Sequence, residues 1–336
     1  MKKALLLVNV GSPDAPEKKA VKRFLTEFLN DKQVIDLSWL LRKVLVNLII
    51  IPFRIKHSTR LYKKLFTKNG SPLIYHTKSL AEKLNNILED TDVFWTMRYG
   101  NPSLKNTLNK IKDKDYKELT ILPLYPQYAT STSKSTIDFF EKEINKWSVK
   151  PKVKIIKQFY NNESFIKAIC AKINEHDINE YEHIIFSYHA LPIRQINKIH
   201  PNHKESECTC YRKMPSHGEF CYKATCYETT RLLAKELNIE EHFFTTCFQS
   251  RMSKNWTKPF TTDTIIKLAQ EGKKKVLIVS PAFVADCLET SIELAEDGQE
   301  LFKQYGGEKL QLVENLNDSD KWANAIKNII TQTYPF

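Results

Sequence analysis

Residues 183–192 read HIIFSYHALP, and this stretch decides the fold. Its centre, Ile184 to Phe186, is continuously apolar, as in a strand buried on both faces of a parallel sheet. The run ends at His189, and Pro192 then marks a turn. The stretch therefore predicts a buried strand that presents a histidine at its carboxyl end, where α/β proteins bind ligands.

The same pattern recurs on both sides of this strand. Short apolar runs alternate with longer amphipathic stretches, which predicts parallel sheets covered by helices. The predicted strands are Ala4–Val10, Val93–Met97, Leu119–Leu124, Val153–Phe159, His183–His189, Phe243–Phe248, Lys275–Ser280 and Leu310–Val313. The predicted helices include Lys19–Leu29, Leu80–Leu88, Thr136–Trp147, Ser164–Ile173, Glu228–Leu237, Asp263–Gln270 and Leu288–Phe302. We therefore predict an α/β protein of two doubly wound domains with four strands each, divided near residues 157–162.

The composition excludes some large classes of enzyme. The chain has 336 residues and a net charge of +12, which suits an anionic ligand, an anionic membrane surface or nucleic acid. It contains 8 glycines, none spaced as G-x-G and none in a P-loop motif. Nucleotide cradles need glycine so that the backbone can approach phosphate, so we expect no nucleotide cofactor.

Two apolar stretches bear on localisation. The first strand resembles a signal peptide, but its apolar run is short and leads into Gly11 without a cleavage site. The longest uncharged apolar stretch, Val44–Phe53, is about half of a membrane span of ~20 residues, so we predict a cytoplasmic protein. The surrounding Trp39–Phe53 segment is either a buried helix or an apolar lip over a flat ligand or membrane surface.

A row of acidic residues follows the seventh predicted strand. Glu289, Glu293, Glu296 and Glu300 would share one face of an α-helix, with Asp297 at its edge. Such a face is usually solvated, but no Lys or Arg supports this one at i+3 or i+4 before Lys303. Carboxylates in a row can also replace the waters of a divalent cation one at a time.

Four cysteines lie close together in the sequence, at Cys208, Cys210, Cys221 and Cys226. Clustered thiolates favour zinc or an iron–sulfur cluster, although this spacing is that of neither a zinc finger nor a ferredoxin. His200, His203 and His217 are possible substitute ligands. Cys170 and Cys247 lie in apolar sequence and are predicted to belong to the core.

Taken together, the strand ends carry a family resemblance. LLLVNVGSPD, MRYGNPS, YPQYATSTS, FSYHALP, QSRMSKNW and PAFVADCLETSIE, in this order, resemble the ferrochelatases over essentially the whole chain. The resemblance implies two similar Rossmann-like domains, residues 1–160 and 161–317, with parallel sheets facing a central cleft. It also implies a final helix at 318–333 that packs back on the first domain.

The resemblance assigns roles to individual residues. His189 matches the histidine that takes pyrrole protons or ligates iron, and Glu289 matches its partner carboxylate across the cleft. Glu293 and Asp297 match the acids that continue this line, in a stretch with a π-helical turn. The positions expected to bind substrate are Asn9, Val10, Arg98, Tyr128, Ser131, Trp256 and Phe283.

Two positions depart from the family pattern. Val10 stands where other members carry Met or Tyr near the metal, and valine cannot ligate. Cys287 stands where some members have histidine. Some bacterial members hold a [2Fe–2S] cluster in the segment after HALP, so Cys208, Cys210, Cys221 and Cys226 are expected to bind such a cluster, with Zn²⁺ as the second choice.

The implied reaction is insertion of Fe²⁺, as substrate, into protoporphyrin IX with release of two protons, the last step of haem synthesis. The alternatives are a coproporphyrin III ferrochelatase, a related Co²⁺ or Ni²⁺ chelatase, and a non-enzymatic haem or metal carrier. A carrier needs no base, which weighs against it. The implied partners are the porphyrin, and a peripheral membrane contact or another enzyme of haem synthesis, with no nucleic acid.

Overall fold

The computed structural model describes residues 2–200 and 202–332. The chain divides into two compact units: residues 1–125, 129–158 and 317–336 form the first, and residues 126–128 and 159–316 form the second. The last position of the predicted final helix, residue 333, lies outside the described part of the chain. Each unit contains one parallel four-stranded sheet with helices, so the predicted fold class is confirmed.

The first unit is built on the strand order β2-β1-β3-β4. Its strands are β1 (Lys3–Asn9), β2 (Thr91–Met97), β3 (Glu118–Pro123) and β4 (Lys152–Ile155). Its helices are α1 (Lys18–Leu29), α2 (Trp39–Val44), α3 (Ile51–Leu65), α4 (Pro72–Ile87), α5 (Leu104–Lys112), α6 (Ser135–Ile144) and, from the end of the chain, α12 (Asp320–Thr331). Leu6, Val8 and Ile121 of the sheet pack with Leu108 and Phe140 of the helices to form its core.

The second unit has the equivalent order β6-β5-β7-β8. Its strands are β5 (His183–His189), β6 (Phe244–Gln249), β7 (Lys275–Val279) and β8 (Lys309–Leu312). Its helices are α7 (Glu163–Ile173), α8 (Ile193–Ile199), α9 (Tyr222–Glu236), α10 (Thr261–Gln270) and α11 (Gly298–Gln304). Ile185, Ile278 and Phe302 lie in its core, and the apolar centre of HIIFSYHALP is fully buried.

Three segments of the described chain are wider than an α-helix. Residues Leu45–Ile50, Thr130–Lys134 and Glu289–Asp297 are π-helical. Such segments are rare and occur frequently at functional sites. The first joins α2 to α3, the second precedes α6, and the third precedes α11, where the sequence predicted one continuous α-helix over Leu288–Phe302.

Candidate active site

His189 is the last residue of β5, paired in the ladder with Gln249 of β6. Its Nδ1 lies 2.6 Å from the carbonyl oxygen of Ala190, and a carbonyl only accepts, so Nδ1 is the donor. In the neutral ring, Nε2 then carries the free lone pair. His189 can therefore accept a proton or bind a metal ion through Nε2.

Two aromatic side chains flank this imidazole. The ring centroids of Trp256 and Phe283 lie 6.5 Å and 6.4 Å from that of His189. A β-bridge to Pro192 holds Trp256 in place, and Phe283 lies in the turn after β7. The second unit thus brings together three of the predicted site residues, a histidine between two flat apolar surfaces.

Glu293 is fixed by the residue that follows β6. The backbone N–H of Ser250 donates to Glu293 Oε1 at 2.7 Å, and the Ser250 hydroxyl donates to Oε2. Ser250 has φ of 62°, a left-handed backbone conformation that residues other than glycine rarely adopt. This backbone conformation turns both donors of one residue towards one carboxylate.

The pKa of Glu293 is raised, because burial of the side chain disfavours the charged form. The negative charge of Glu289 raises it further, whereas the hydrogen bonds from Ser250 and the nearby His189 lower it. Glu293 therefore holds a proton more readily than an exposed glutamate does. Glu293 therefore lies close enough to both His189 and Glu289 for their charges to act on it.

Glu289 is held at both its backbone and its side chain. Gln249 donates from Nε2 to the Glu289 carbonyl at 2.9 Å, and the Gln249 side-chain oxygen accepts from Ser187 at 2.7 Å. The Cys287 thiol hydrogen-bonds the Glu289 carboxylate. Burial raises the pKa of Cys287, and the negative charge of Glu289 raises it further. The thiol therefore keeps its proton and can donate it in a hydrogen bond. Glu289 and His189 both belong to the second unit.

The predicted single acidic face is wrong. The Glu289–Asp297 segment is π-helical, and its i→i+5 bonding widens the turn, so the spacing of an α-helix does not apply. Glu289 and Glu293 are half-buried, whereas Glu296, Asp297 and Glu300 are exposed. The carboxylates thus form a buried pair and an exposed group rather than one continuous row.

In the first unit, the end of β1 forms a tight corner against the end of β2. The Asn9 side chain is buried and donates to Thr77 at 3.1 Å, and its oxygen accepts from the N–H of Val10 at 2.8 Å. Gly11 has φ of 113°, and a Cβ there would lie 1.8 Å from the Tyr99 carbonyl oxygen. Only glycine fits there, so the Val10 loop has a defined position.

Arg98 does not extend into open space. Its guanidinium donates to Asp31 at 2.6 Å and to Ser135 at 3.0 Å, and it lies over the rings of Tyr99 and Phe139. Tyr99 and Ser135 also donate to Asp31. The structure therefore gives Arg98 a nearly buried network within the first unit, in addition to the substrate contact predicted for it.

The two remaining predicted positions lie after β3. Ser131 is half-buried within the Thr130–Lys134 π-helical segment of the first unit. Tyr128 belongs to the second unit, where its ring contacts the edge of Phe220 at a centroid distance of 5.4 Å.

The segment from His200 to Cys226 gathers thiols and imidazoles, which we call the Cys/His cluster. His200 Nε2 lies 3.3 Å from Cys221 Sγ, His217 Nε2 lies 3.9 Å from Cys208 Sγ, and the rings of His203 and His217 stack at 4.0 Å. Burial raises the pKa of Cys210 to about 12, and the neighbouring Cys208 adds to this effect. Cys170 and Cys247 are buried in the core, as predicted.

Within residues 2–200 and 202–332, no three His, Cys, Asp or Glu side chains are arranged so that they could hold one metal ion. This applies both to the Cys/His cluster and to His189 with its carboxylates. A single Zn²⁺ site, which needs converging ligands, is therefore not formed in the described segments.

The Trp39–Phe53 segment is an exposed helical surface, so the buried-helix alternative is wrong. Phe53 is 82% exposed, Leu48 69% and Trp39 66%. Only single positions such as Val46 and Ile51 point into the first unit, where they pack with Val21 of α1. In the part of the chain that is described, no helix is long and apolar enough to span a membrane.

Sequence reasoning missed the residues that hold the site residues in place. Four such residues each hydrogen-bond a predicted site residue. The bonds of Ser250 to Glu293, Gln249 to Glu289 and Asp31 to Arg98 are described above. The fourth residue, Tyr222, donates to the His189 carbonyl oxygen at 2.9 Å. Ser250 and Gln249 follow a predicted strand end, so their location was a usable signal. For Tyr222 and Asp31 the sequence offers no such signal.

Comparisons with known proteins agree with these features. The model of the ferrochelatase family matches residues 2–334. Proteins named ferrochelatase from Legionella pneumophila strain Lens and Coxiella burnetii strain Dugway are 40% and 38% identical to this chain. The alignments cover 99% and 96% of this chain, and 100% and 91% of those proteins.

Solved structures show the same fold. SirB from Bacillus subtilis with Fe³⁺ aligns with a TM-score of 0.57 at 12% identity, covering 98% of this chain and 94% of that one. The sirohydrochlorin chelatase SirB from the subspecies spizizenii, in complex with cobalt, aligns with a TM-score of 0.54. By its family match and its close relatives, the chain belongs to the ferrochelatase family, enzymes that insert a metal ion into a porphyrin.

Proposed function

We propose that the protein inserts Fe²⁺ into protoporphyrin IX and releases the two pyrrole protons, the last step of haem synthesis. The observation that carries this proposal is the Nε2 lone pair of His189, together with Glu293, on which the charges of both His189 and Glu289 act. An imidazole and two carboxylates supply what the reaction requires, a base for the ring protons and oxygen ligands for the incoming cation.

The supporting geometry separates two tasks. Trp256 and Phe283 offer flat apolar surfaces that suit a porphyrin held next to His189. Glu293, whose pKa is raised by burial, can take up a proton, and Glu289 can accept the metal ion. The exposed Glu296 and Asp297 offer a hydrated cation its first ligands before it reaches the half-buried pair. We assign the metal pathway to Glu289, Glu293 and Asp297 with His189.

Protoporphyrin is preferred here over coproporphyrin III because it carries two carboxylates rather than four and is the more apolar substrate. The exposed apolar surface of Trp39–Phe53 suits such a ligand, and the NVGSP form of the first loop resembles that of enzymes using protoporphyrin.

The test is anaerobic incubation of the pure protein with Fe²⁺ and either porphyrin, following the loss of porphyrin fluorescence. Protoporphyrin fluorescence should be lost faster, and His189→Ala should abolish the loss, whereas His242→Ala, at an exposed histidine, should not. Faster loss with coproporphyrin would overturn the substrate assignment. Insertion of Co²⁺ or Ni²⁺ but not Fe²⁺ would favour the related chelatases, and binding without insertion would favour a carrier.

We further propose that Cys208, Cys210, Cys221 and Cys226 hold a [2Fe–2S] cluster. Such a cluster needs two thiolates for each of two irons rather than several ligands around one ion. Electrostatic interactions link Cys210 to Cys208 and Cys221, and Cys226 to Cys221 and Cys210, so the four thiols lie in one neighbourhood. The cluster would supply redox-active iron, but since metal insertion moves no electrons, we assign it a structural role.

Iron and acid-labile sulfide analysis of anaerobically purified protein tests this assignment. The protein should be reddish and contain both elements, and Cys221→Ser should lose the visible absorption. Cys170→Ala, at a core cysteine, is the matched control and should keep it. Zinc in place of iron would favour the second choice, and the absence of both metals would contradict the proposal.

A peripheral membrane contact is the third part of the proposal. No Asp or Glu occurs from residue 37 to residue 81, whereas nine Lys or Arg do, so the exposed apolar surface carries only positive charge. A cavity of about 610 Å³ beside it is lined by four basic side chains and one acidic one, Lys19, Lys22, Arg23, Lys43 and Glu27. Apolar and basic surfaces together favour binding to anionic lipids.

Co-sedimentation with phosphatidylcholine vesicles, with and without phosphatidylglycerol, tests this contact. Binding should require the anionic lipid and should be lost in Leu48→Glu. Val149→Glu, at a residue that is 76% exposed on the same unit, should bind as the unmodified protein does. Equal binding by both variants would contradict the proposed surface.

A further inference from the structure

Asn315, in the segment that follows β8, has a buried amide side chain with a partner at each end. Its Nδ2 donates to Asp286 Oδ1 at 2.8 Å, and its Oδ1 accepts from the Ser280 hydroxyl at 2.9 Å. A carboxylate only accepts hydrogen bonds, so the amide nitrogen must face Asp286 and the amide oxygen must face Ser280. A buried polar network whose groups are paired in this way holds its members rigidly.

This side-chain bridge joins the ends of β7 and β8 to the loop that follows β7. After the ladder between the two strands ends, Val313 N–H still donates to the Ile278 carbonyl oxygen at 2.9 Å. Ser280 and Asn315 lie just beyond this bond, and their side chains continue the connection between the strands. Asp286 then attaches the far end of the loop to the same amide. One side chain therefore holds both ends of the loop.

The loop carries Phe283, whose ring centroid lies 6.4 Å from that of His189. The Phe283 N–H donates to the Ser280 carbonyl oxygen at 3.0 Å, so its backbone is tied to one of the bridged residues. Phe283, Ser280 and Asn315 also line one cavity of about 10 Å³. A cavity of this size holds about one water molecule. Phe283 therefore lies close to the bridge.

The other end of the loop leads into the segment that carries Glu289. Asp286 directly precedes Cys287, whose N–H donates to Thr290 Oγ1 at 3.0 Å. The Cys287 carbonyl oxygen accepts from the N–H of Ser291 at 2.9 Å. These bonds form the turn in which the π-helical segment begins. A bond that fixes Asp286 therefore also fixes the start of this segment.

We propose that Asn315 is a positioning residue for metal insertion, which keeps Phe283 beside His189 and Glu289 at its place in the first turn of its segment. This inference rests on the proposed roles of His189 and Glu289 in the reaction. Asn315 acts only through its two partners at the ends of the loop. A misplacement of about 1 Å at a reacting centre, caused by a change outside it, lowers a rate by about 10²-fold.

The experiment compares Asn315→Ala with the unmodified protein and with Asn162→Ala. Asn162 is the matched control, since both asparagines belong to the second unit and are 5% exposed. The Asn162 side chain accepts from the Phe165 N–H at 3.1 Å and caps α7. The readouts are kcat, the KM for porphyrin, the unfolding midpoint, and amide hydrogen exchange in residues 281–288 followed by mass spectrometry.

In Asn315→Ala, kcat should fall by about tenfold to a hundredfold, whereas the KM for porphyrin should change little because the Phe283 ring is still present. Exchange in residues 281–288 should become about tenfold faster, as the loss of a hydrogen bond to a charged group allows. In Asn162→Ala, the unfolding midpoint should fall while kcat and this exchange rate stay unchanged.

Ser280→Ala separates hydrogen bonding from packing, because it removes one bond of the bridge and a single oxygen atom. It should show the same two changes to a smaller extent, and it tests the proposal alone if Asn315→Ala does not fold. The double variant should be no slower than Asn315→Ala, since the Ser280 hydroxyl has then already lost its acceptor.

His189→Ala distinguishes the two ways of failing. If it abolishes insertion but Asn315→Ala loses no more of its kcat than Asn162→Ala does, the positioning role is overturned while the proposed function stands. Unchanged exchange in residues 281–288 of both bridge variants also overturns the positioning role. If His189→Ala keeps near-normal insertion, the proposed function fails, and the role of Asn315 is overturned with it.

Discussion

Ser250→Ala should change the pH dependence of the enzyme rather than its fold. The substitution removes the hydroxyl that donates to Glu293 Oε2, but the backbone N–H at 2.7 Å from Oε1 remains. Both Ser and Ala adopt φ of 62° poorly, so a second variant, Ser250→Gly, removes the hydroxyl without that conformational cost.

The size of the effect follows from the lost bond. A hydrogen bond to a charged group contributes about 1.5–3 kcal/mol, and one pKa unit corresponds to about 1.4 kcal/mol. Burial already raises the pKa of Glu293, and the Ser250 bond partly offsets it. Removing the bond should therefore raise this pKa by about one to two units. At a given acidic pH, fewer molecules then carry an ionised Glu293.

The assay is the rate of Zn²⁺ or Fe²⁺ insertion measured across the pH range. The acid limb of kcat should move to higher pH by about one to two units in both Ser250 variants, with similar rates at alkaline pH. Ser148→Ala, at an exposed serine, is the control. An acid limb that stays in place in both Ser250 variants would refute the role of Glu293 as a titrating group in the reaction.

Three other predictions concern separate features. Glu289→Gln should lower kcat strongly, whereas Glu296→Gln should mainly raise the KM for metal, and equal mild effects would favour a merely solvated acidic surface. Trp256→Ala should raise the KM for porphyrin more than it lowers kcat, which steady-state kinetics can check. Burial tends to raise the pKa of Asp318, but hydrogen bonds from Ser79 and His76 outweigh it and lower this pKa. Asp318→Asn should therefore lower the free energy of unfolding by about 1–2 kcal/mol at neutral pH, and this difference should shrink as the pH falls below the ordinary carboxyl pKa of about 4. Urea unfolding at neutral and acidic pH measures this difference, and a deficit that is constant with pH would contradict the role of these hydrogen bonds.

The strands could be predicted because burial on both faces of a parallel sheet leaves a direct trace in the sequence. His183–His189 is found with the predicted bounds, and the other strands differ mainly at their ends, most at β4, which ends at Ile155 rather than Phe159. Ile156 and Phe159 are apolar and buried, whereas Lys157 between them is exposed, and none of residues 156–159 belongs to a strand. Apolar residues in a sequence indicate which positions are buried, but they do not indicate which positions form the backbone hydrogen bonds of a sheet.

The sequence was enough to predict the functional side chains of the site, but not the residues that hold them in place by hydrogen bonds. His189 and Glu289 follow strands, which sequence patterns reveal. The bond between Ser250 and Glu293 joins residues 43 positions apart and depends on a left-handed backbone at a serine, which no local propensity indicates. The π-helical geometry of Glu289–Asp297 confirms what the family resemblance implied, but a periodicity that assumes α-helical turns does not reveal it.

The discontinuous first unit constrains the order in which the chain can fold during synthesis. Its helix α12 buries Trp322, Ile326 and Ile329, and Lys154 of β4 binds the carbonyl oxygens of Ile330 and Gln332 at 2.6 and 2.8 Å. The ribosome makes these residues after every strand of the second unit. The first unit is therefore begun before the second unit but completed after it. A truncation that removes α12 would expose apolar surface of the first unit, most of which is formed by the N-terminal part of the sequence.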